Sequence, residues 1–127
     1  MKTFKTASEI ASPTLVYVDG LASVREAIDL MREKRVDYLF IKKRSEQDAN
    51  GIVVISDIIR GVIAKDLKPE EVSVYEIMTK PALSIPSTLN SRYVSRLLLN
   101  SKITVAPVEE NGNYIGVIHL RDIVYTY

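Results

Sequence analysis

Two eight-residue phrases, 65 positions apart, share one plan. Gly51 opens Gly-Ile-Val-Val-Ile-Ser-Asp-Ile, which ends at Ile58. Gly116 opens Gly-Val-Ile-His-Leu-Arg-Asp-Ile, which ends at Ile123. Each reads as a glycine where the chain must turn, an apolar strand, a short turn, an aspartate and the start of an apolar helix. A second landmark recurs upstream at an offset of 67: Thr6-Ala-Ser-Glu and Ser73-Val-Tyr-Glu. Both are S/T-x-x-E capping boxes, which satisfy two unpaired N–H groups at the start of a short helix. The two-residue difference has a cause, because residues 36–51 form a longer stretch than residues 103–116. A period this long within 127 residues leaves room for two copies of one supersecondary unit. A copy of about 60 residues is hard to stabilise alone, so the two are expected to bury one another.

The elements follow in the same order in each copy. After the short helix comes a brief strand, residues 14–18 or 82–85, and then a turn. An amphipathic helix follows. Val24, Ala27, Ile28 and Met31 fall at i, i+3, i+4 and i+7, with Ser23 as its cap. Val94, Leu97 and Leu98 repeat the pattern, and Leu99 widens it. Two strands come next, residues 38–42 with 51–55, and residues 103–108 with 114–118. Asp48-Ala-Asn and Glu110-Asn-Gly-Asn supply the turns between them. A helix closes each copy, from Asp57 to about Lys65 and from Asp122 onward. Residues 66–71 link the copies, and Pro69 cannot easily continue the preceding helix. The expected class is α+β: two pseudo-symmetric β-α-β-β-α repeats, residues 6–66 and 73–127, packed sheet to sheet.

Composition removes several functions. Seventeen basic and 16 acidic residues nearly balance, which argues against a nucleic-acid binder driven by phosphate neutralisation. There is no cysteine, hence no disulfide, thiolate metal site or cysteine nucleophile. Residues 1–12 are mixed and polar, and no run approaches 18 apolar residues, so a soluble, cytoplasmic protein without a membrane segment is expected. No Walker-type loop or G-x-S-x-G elbow is present, and a single histidine makes a poor zinc site. No enzyme is expected, and neither a metal nor a cofactor.

The two glycine–aspartate phrases, together with Tyr75-Glu-Ile-Met-Thr and Ile103-Thr-Val-Ala-Pro-Val, resemble a pair of cystathionine-β-synthase (CBS) domains, the Bateman module. The resemblance runs from about Glu9 to Tyr127. It implies two pseudo-twofold-related halves with a cleft on each side, which in many members bind AMP, ADP, ATP or S-adenosylmethionine and regulate an attached or partner protein. The alternative is an interaction scaffold with degenerate pockets. The amphipathic helices around Val24 to Met31 and Val94 to Leu98 look too wide for one copy to cover. They point to a homodimer, with an unidentified effector protein as the further partner.

The site residues come from the same resemblance. Asp57 and Asp122 would accept hydrogen bonds from ribose hydroxyls; helix-dipole chemistry alone also explains an aspartate there. Ser12 and Thr79 follow the short helices, where the family often contacts ribose or phosphate, and Leu15 and Ala82 belong to the same stretches. Val105, Ala106 and Pro107 leave room for a flat purine beside a strand. The corresponding Tyr38 either stacks on a base or fills the pocket. Nucleotide-binding members usually carry Ser or Thr three residues before the aspartate; here those positions are Val54 and His119, and only His119 offers a donor. Arg121 and Arg60 both lie near the helix starts, where each could meet phosphate, bidentately if well placed; for Arg60 surface charge is the first reading. The second half, credited with Thr79, Ala82, Val105, Ala106, Pro107, Arg121 and Asp122, is expected to hold the better site.

Overall fold

The structure, a computed structural model, describes residues 4–127, so part of the polar N-terminal stretch lies outside it. The chain forms two compact units that cut across the sequence repeats. One is the continuous segment Val16–Ala82, and the other joins Leu83–Tyr127 to the N-terminal residues up to Leu15. The short capped helix of each repeat therefore packs with the sheet of the other repeat.

In the unit Val16–Ala82, β1 (Tyr17–Val18) runs parallel to β2 (Tyr38–Ile41), which pairs antiparallel with β3 (Gly51–Val54). Helix α2 (Val24–Lys34) makes the crossover, as a parallel pair requires. The Ser23 hydroxyl accepts from the Glu26 N–H at 3.1 Å, and Arg35 ends the helix in the left-handed region at φ 55°. Val24, Ala27 and Met31 turn inward against Leu39, Ile41 and Val53. Helix α3 (Ile55–Ile58) continues into a π-helical turn, Ile59–Ile63. Gly61 lies in that turn, and a Cβ there would stand 2.6 Å from Ile77 Cγ2. The 3₁₀ turns Pro69–Glu71 and Val74–Glu76 complete the unit. The second carries the expected capping box, with the Ser73 N–H donating to Glu76 at 2.7 Å.

The other unit repeats the plan. β4 (Ile85–Pro86) is parallel to β5 (Val105–Glu110), and β5 is antiparallel to β6 (Asn113–His119). Asn111 (φ 52°) and Gly112 (φ 82°) close that hairpin, the Asn-Gly pair that a tight turn with two positive φ angles favours. Helix α4 (Ser91–Asn100) is capped by the Asn90 carboxamide, which accepts from Arg92 and Tyr93. Helix α5 (Leu120–Val124) closes the chain. Helix α1 (Ala7–Ile10) docks here through Ala7 N–H to Leu89 O at 2.8 Å and Ser8 N–H to Ser87 O at 3.0 Å. Its own capping box is formed, with Glu9 accepting from the Thr6 N–H at 3.1 Å. Ala7, Ile85, Val94, Leu98, Ala106, Val108 and Ile118 make the core.

Three local expectations are corrected. The brief first strands shrink to two residues each, Tyr17–Val18 and Ile85–Pro86, and the stretches 14–18 and 82–85 read as strand straddle the boundaries between the units after Leu15 and Ala82. The closing helices begin before their aspartates, at Ile55 and Leu120, since each aspartate is the third helical residue. The wide apolar faces narrow: Val24, Ala27, Met31, Val94 and Leu98 are consumed by their own cores, while Leu99 faces solvent at 64% exposure.

Candidate functional site

Gly51 opens β3, whereas Gly116 lies inside β6, and each is followed by a residue that an incoming segment pairs with. Thr79 exchanges both backbone hydrogen bonds with Ile52, at 2.8 and 2.9 Å, and the Ala82 N–H donates to Asn50 O at 2.8 Å. In the other unit Ser12 exchanges both bonds with Val117, each at 2.8 Å. Ile52 and Val117 directly follow Gly51 and Gly116, so the two arrangements are equivalent. A Cβ at Gly116 would stand 2.6 Å from the Ser12 carbonyl oxygen. That glycine serves close approach of two backbones, not the turn read from the sequence.

This pairing redistributes the candidate residues. Thr79 and Ala82 join Asp57 and Tyr38. Ser12 and Leu15 join Val105, Ala106, Pro107, His119, Arg121 and Asp122. Thr79 and Ala82, credited above to the half of Asp122, thus pack in the unit of Asp57. The cause is the backbone bridge between Thr79 and Ile52, which holds the 79–82 segment against the strand leading to Asp57.

Beyond each bridge the strand runs into a helix start. Asp57 folds back so that Oδ2 accepts the Val54 N–H at 3.0 Å. Asp122 does the same with the His119 N–H at 2.9 Å. Each carboxylate thus caps its own helix, satisfying one of the donors a helix start leaves unpaired. The second oxygens differ. Asp57 Oδ1 lies 3.4 Å from Arg60 Nη1, with the Asp57 side chain 8% and the Arg60 side chain 73% exposed. Asp122 is 25% exposed, and the nearest ionisable side chain it meets is His119, whose Nδ1 lies 3.5 Å from the same Oδ2 that accepts the N–H. Opposite these helix starts, Tyr38 is in register with Val54, and Val105 with His119. Tyr38 is buried and packs its ring against Phe40 at 5.6 Å between centroids, whereas Val105, Ala106 and Pro107 keep the matching strand narrow. Arg121 is exposed beside Asp122.

Ser12 is half-buried, and its hydroxyl donates to Thr14 Oγ1 at 3.2 Å while accepting the Thr14 N–H at 3.3 Å. The sequence reading passed over Thr14, although an S-x-T spacing with both residues near a strand end is a local signal for such a turn. The Asp57–Arg60 pair was also missed, although its i, i+3 spacing on a helix start is visible in the sequence. Among the described residues no group of three or more His, Cys, Asp or Glu is placed to hold a metal ion. No helix among them is long and apolar enough to cross a membrane.

Known proteins share this fold. The CBS-domain family profile matches residues 7–64 and 74–127. The CBS domain-containing protein CBSCBSPB1 of Arabidopsis thaliana is 26% identical over 121 residues, covering 95% of this chain and 22% of that protein. The chain thus spans about a fifth of that relative's length. A hexameric CBS-CP12 protein from bloom-forming cyanobacteria superposes with a TM-score of 0.91 at 37% identity, covering 95% of this chain and 70% of the other. The CBS domain pair of protein MJ0100, solved in complex with 5-methylthioadenosine and S-adenosyl-L-methionine, shares the fold at a TM-score of 0.82 and 20% identity, covering 98% of this chain and 96% of that one. With two profile matches, two equivalent three-stranded units and paired helix-start aspartates, the chain belongs to the CBS-domain family as a tandem pair.

Proposed function

We propose that this CBS pair is a regulatory module that takes an adenosine-containing ligand (AMP, ADP, ATP or S-adenosylmethionine) and relays its occupancy to a partner protein, with no chemistry of its own. The observation that carries the reading is the Asp122 carboxylate. One oxygen is anchored on the His119 N–H, so the group is oriented, and a quarter of the side chain remains exposed. An oriented, acceptor-only carboxylate suits a ribose diol, which brings two hydroxyl donors. Ser12, Leu15 and the strand Val105, Ala106 and Pro107 belong to the same unit and would line the ligand, with the exposed Arg121 beside Asp122 to meet phosphate. The complex of MJ0100 with two adenosine ligands supports the ligand class. Regulation follows only if the ligand binds two conformations unequally, which is what the partner would read. The reading assigns the protein to the cytoplasm, where such ligands are abundant, and its assembly to a homodimer.

The Asp57 copy is the poorer one. Arg60 already sits on its second oxygen, and Tyr38 fills the position opposite Val54. The second reading for that unit, a degenerate pocket retained for protein contact, rests on the bulk of Tyr38 and on Val54, which offers no side-chain donor.

Thermal shift with AMP, ADP, ATP and S-adenosylmethionine tests both readings. Ligand at 100 times its dissociation constant should add about 2.7 kcal/mol of stability. Asp122→Ala should remove most of the shift and Asp57→Ala little of it. No shift with any of the four ligands would leave the scaffold reading standing. Loss of the shift in Asp57→Ala alone would reverse the ranking of the two units.

A further inference from the structure

The two aspartates occupy equivalent positions, yet only one has a cation three residues on. Arg60 corresponds to Tyr125 at the offset of 65, and Tyr125 is 79% exposed. The Arg60 guanidinium reaches back 3.4 Å to Oδ1 of Asp57, the oxygen that the Val54 N–H leaves unused. Resting on the proposed adenosine reading, we infer that Arg60 is a specificity-determining residue that makes the Asp57 unit selective for phosphorylated adenosine ligands over uncharged ones. A ribose diol that takes Oδ1 must displace the guanidinium. A neutral nucleoside offers the displaced cation no partner. A 5′-phosphate offers it a charge-assisted, bidentate one in place of the carboxylate. The arm is mostly in solvent, so it can swing without repacking, and only its charge is tied to the site. Arg60 thus competes with every ligand for Asp57 and repays only those that carry an anion. Three residues after Asp122 stands Tyr125, which carries no charge to play that part.

The sign of the effect separates this role from a structural one. The background is Asp122→Asn, which confines the measurement to the Asp57 unit, and the probes are adenosine and AMP, titrated by calorimetry. Adding Arg60→Gln should strengthen adenosine binding and weaken AMP binding, so that the ratio of the two affinities falls about tenfold. Arg60→Lys, which keeps the charge but not the fork, should restore part of the AMP preference. If both ligands move in the same direction, or neither moves, the inference is overturned while the adenosine reading stands. If neither ligand binds even the unsubstituted chain, both fall together.

Discussion

A methyl group at residue 116 would meet the Ser12 carbonyl oxygen at 2.6 Å and the Ala11 Cβ at 3.0 Å. Neither atom is the free end of a flexible side chain, so the strand and the incoming segment must part. Gly116→Ala should therefore cost about 1–3 kcal/mol, the range for overpacking a fitted site. It would be read as a lower urea midpoint with an unchanged slope. Gly112 is the comparison: nothing lies within 4 Å of its Cβ position, and its φ of 82° is the whole constraint. Gly112→Ala should cost about 1–2 kcal/mol, through backbone strain alone. Both glycines were visible in the sequence, but only the reason for Gly112 was. A turn glycine announces itself through its neighbours, whereas the atom that Gly116 must clear belongs to a residue at the other end of the chain. The aspartates teach the same limit. Helix chemistry and ligand chemistry were both open for Asp57 and Asp122, and the geometry shows one oxygen of each spent on the helix. The state of the second oxygen depends on the residue three positions later.

Elements held by local contacts were the most legible. Thr6 with Glu9 and Ser73 with Glu76 form the expected boxes, because donor and acceptor lie within one helical turn. The cap of α4 is equally local. Asn90→Ala should cost about 0.5–2 kcal/mol, since one carboxamide oxygen serves two N–H groups. Thermal unfolding would measure it, and Asn90→Ser should recover most of the loss. The first hairpin, by contrast, is tied down at a distance. Lys80 pairs with Asp48, which also accepts the Arg44 N–H at 3.0 Å. The Lys80 ammonium, then the Arg44 amide, hold the Asp48 carboxyl below its ordinary range. A carboxylate with a depressed folded pKa contributes stability that is full above its unfolded value near 3.8 and lost as pH falls through the folded one. The unfolding midpoint of Asp48→Asn should thus fall less steeply than that of the parent chain below about pH 4. Parallel slopes would remove the pair from the acid transition. The sequence did not reveal Lys80 as the partner of Asp48, because no local spacing links residues 48 and 80. The packing of Thr79 and Ala82 in the unit of Asp57 was not legible for the same reason.

For the whole molecule, the proposed homodimer rests on different residues from those first singled out. The α2 and α4 stripes are mostly spent on their own cores. Among the exposed apolar residues, three isoleucines lie close together on α3 and its π-helical turn: Ile55 at 44%, Ile59 at 50% and Ile63 at 60%. They border an apolar groove completed by Ile28, Met31 and Val36. Such a patch on a 14.3 kDa chain favours self-association. Light scattering at micromolar concentration should report twice that mass, and Ile59→Lys should return it to the monomer value. A monomer in the parent chain would end the homodimer proposal.

The docking of α1 and Ser12 beside β6 also sets an order of events during synthesis. Ser12 emerges early, but Val117, its backbone partner, follows roughly a hundred residues later, about 5–20 s at ordinary elongation rates. Through that interval the N-terminal segment has no strand to join, while everything needed for the unit Val16–Ala82 is already available. The continuous unit is therefore the one positioned to close first, and the discontinuous one must wait for β6 before Ser12 finds its partner. Rejoining the old ends through a flexible linker and opening the chain before Val16 would make both units continuous. The long-range closure would become a local one, with the bridges themselves unchanged.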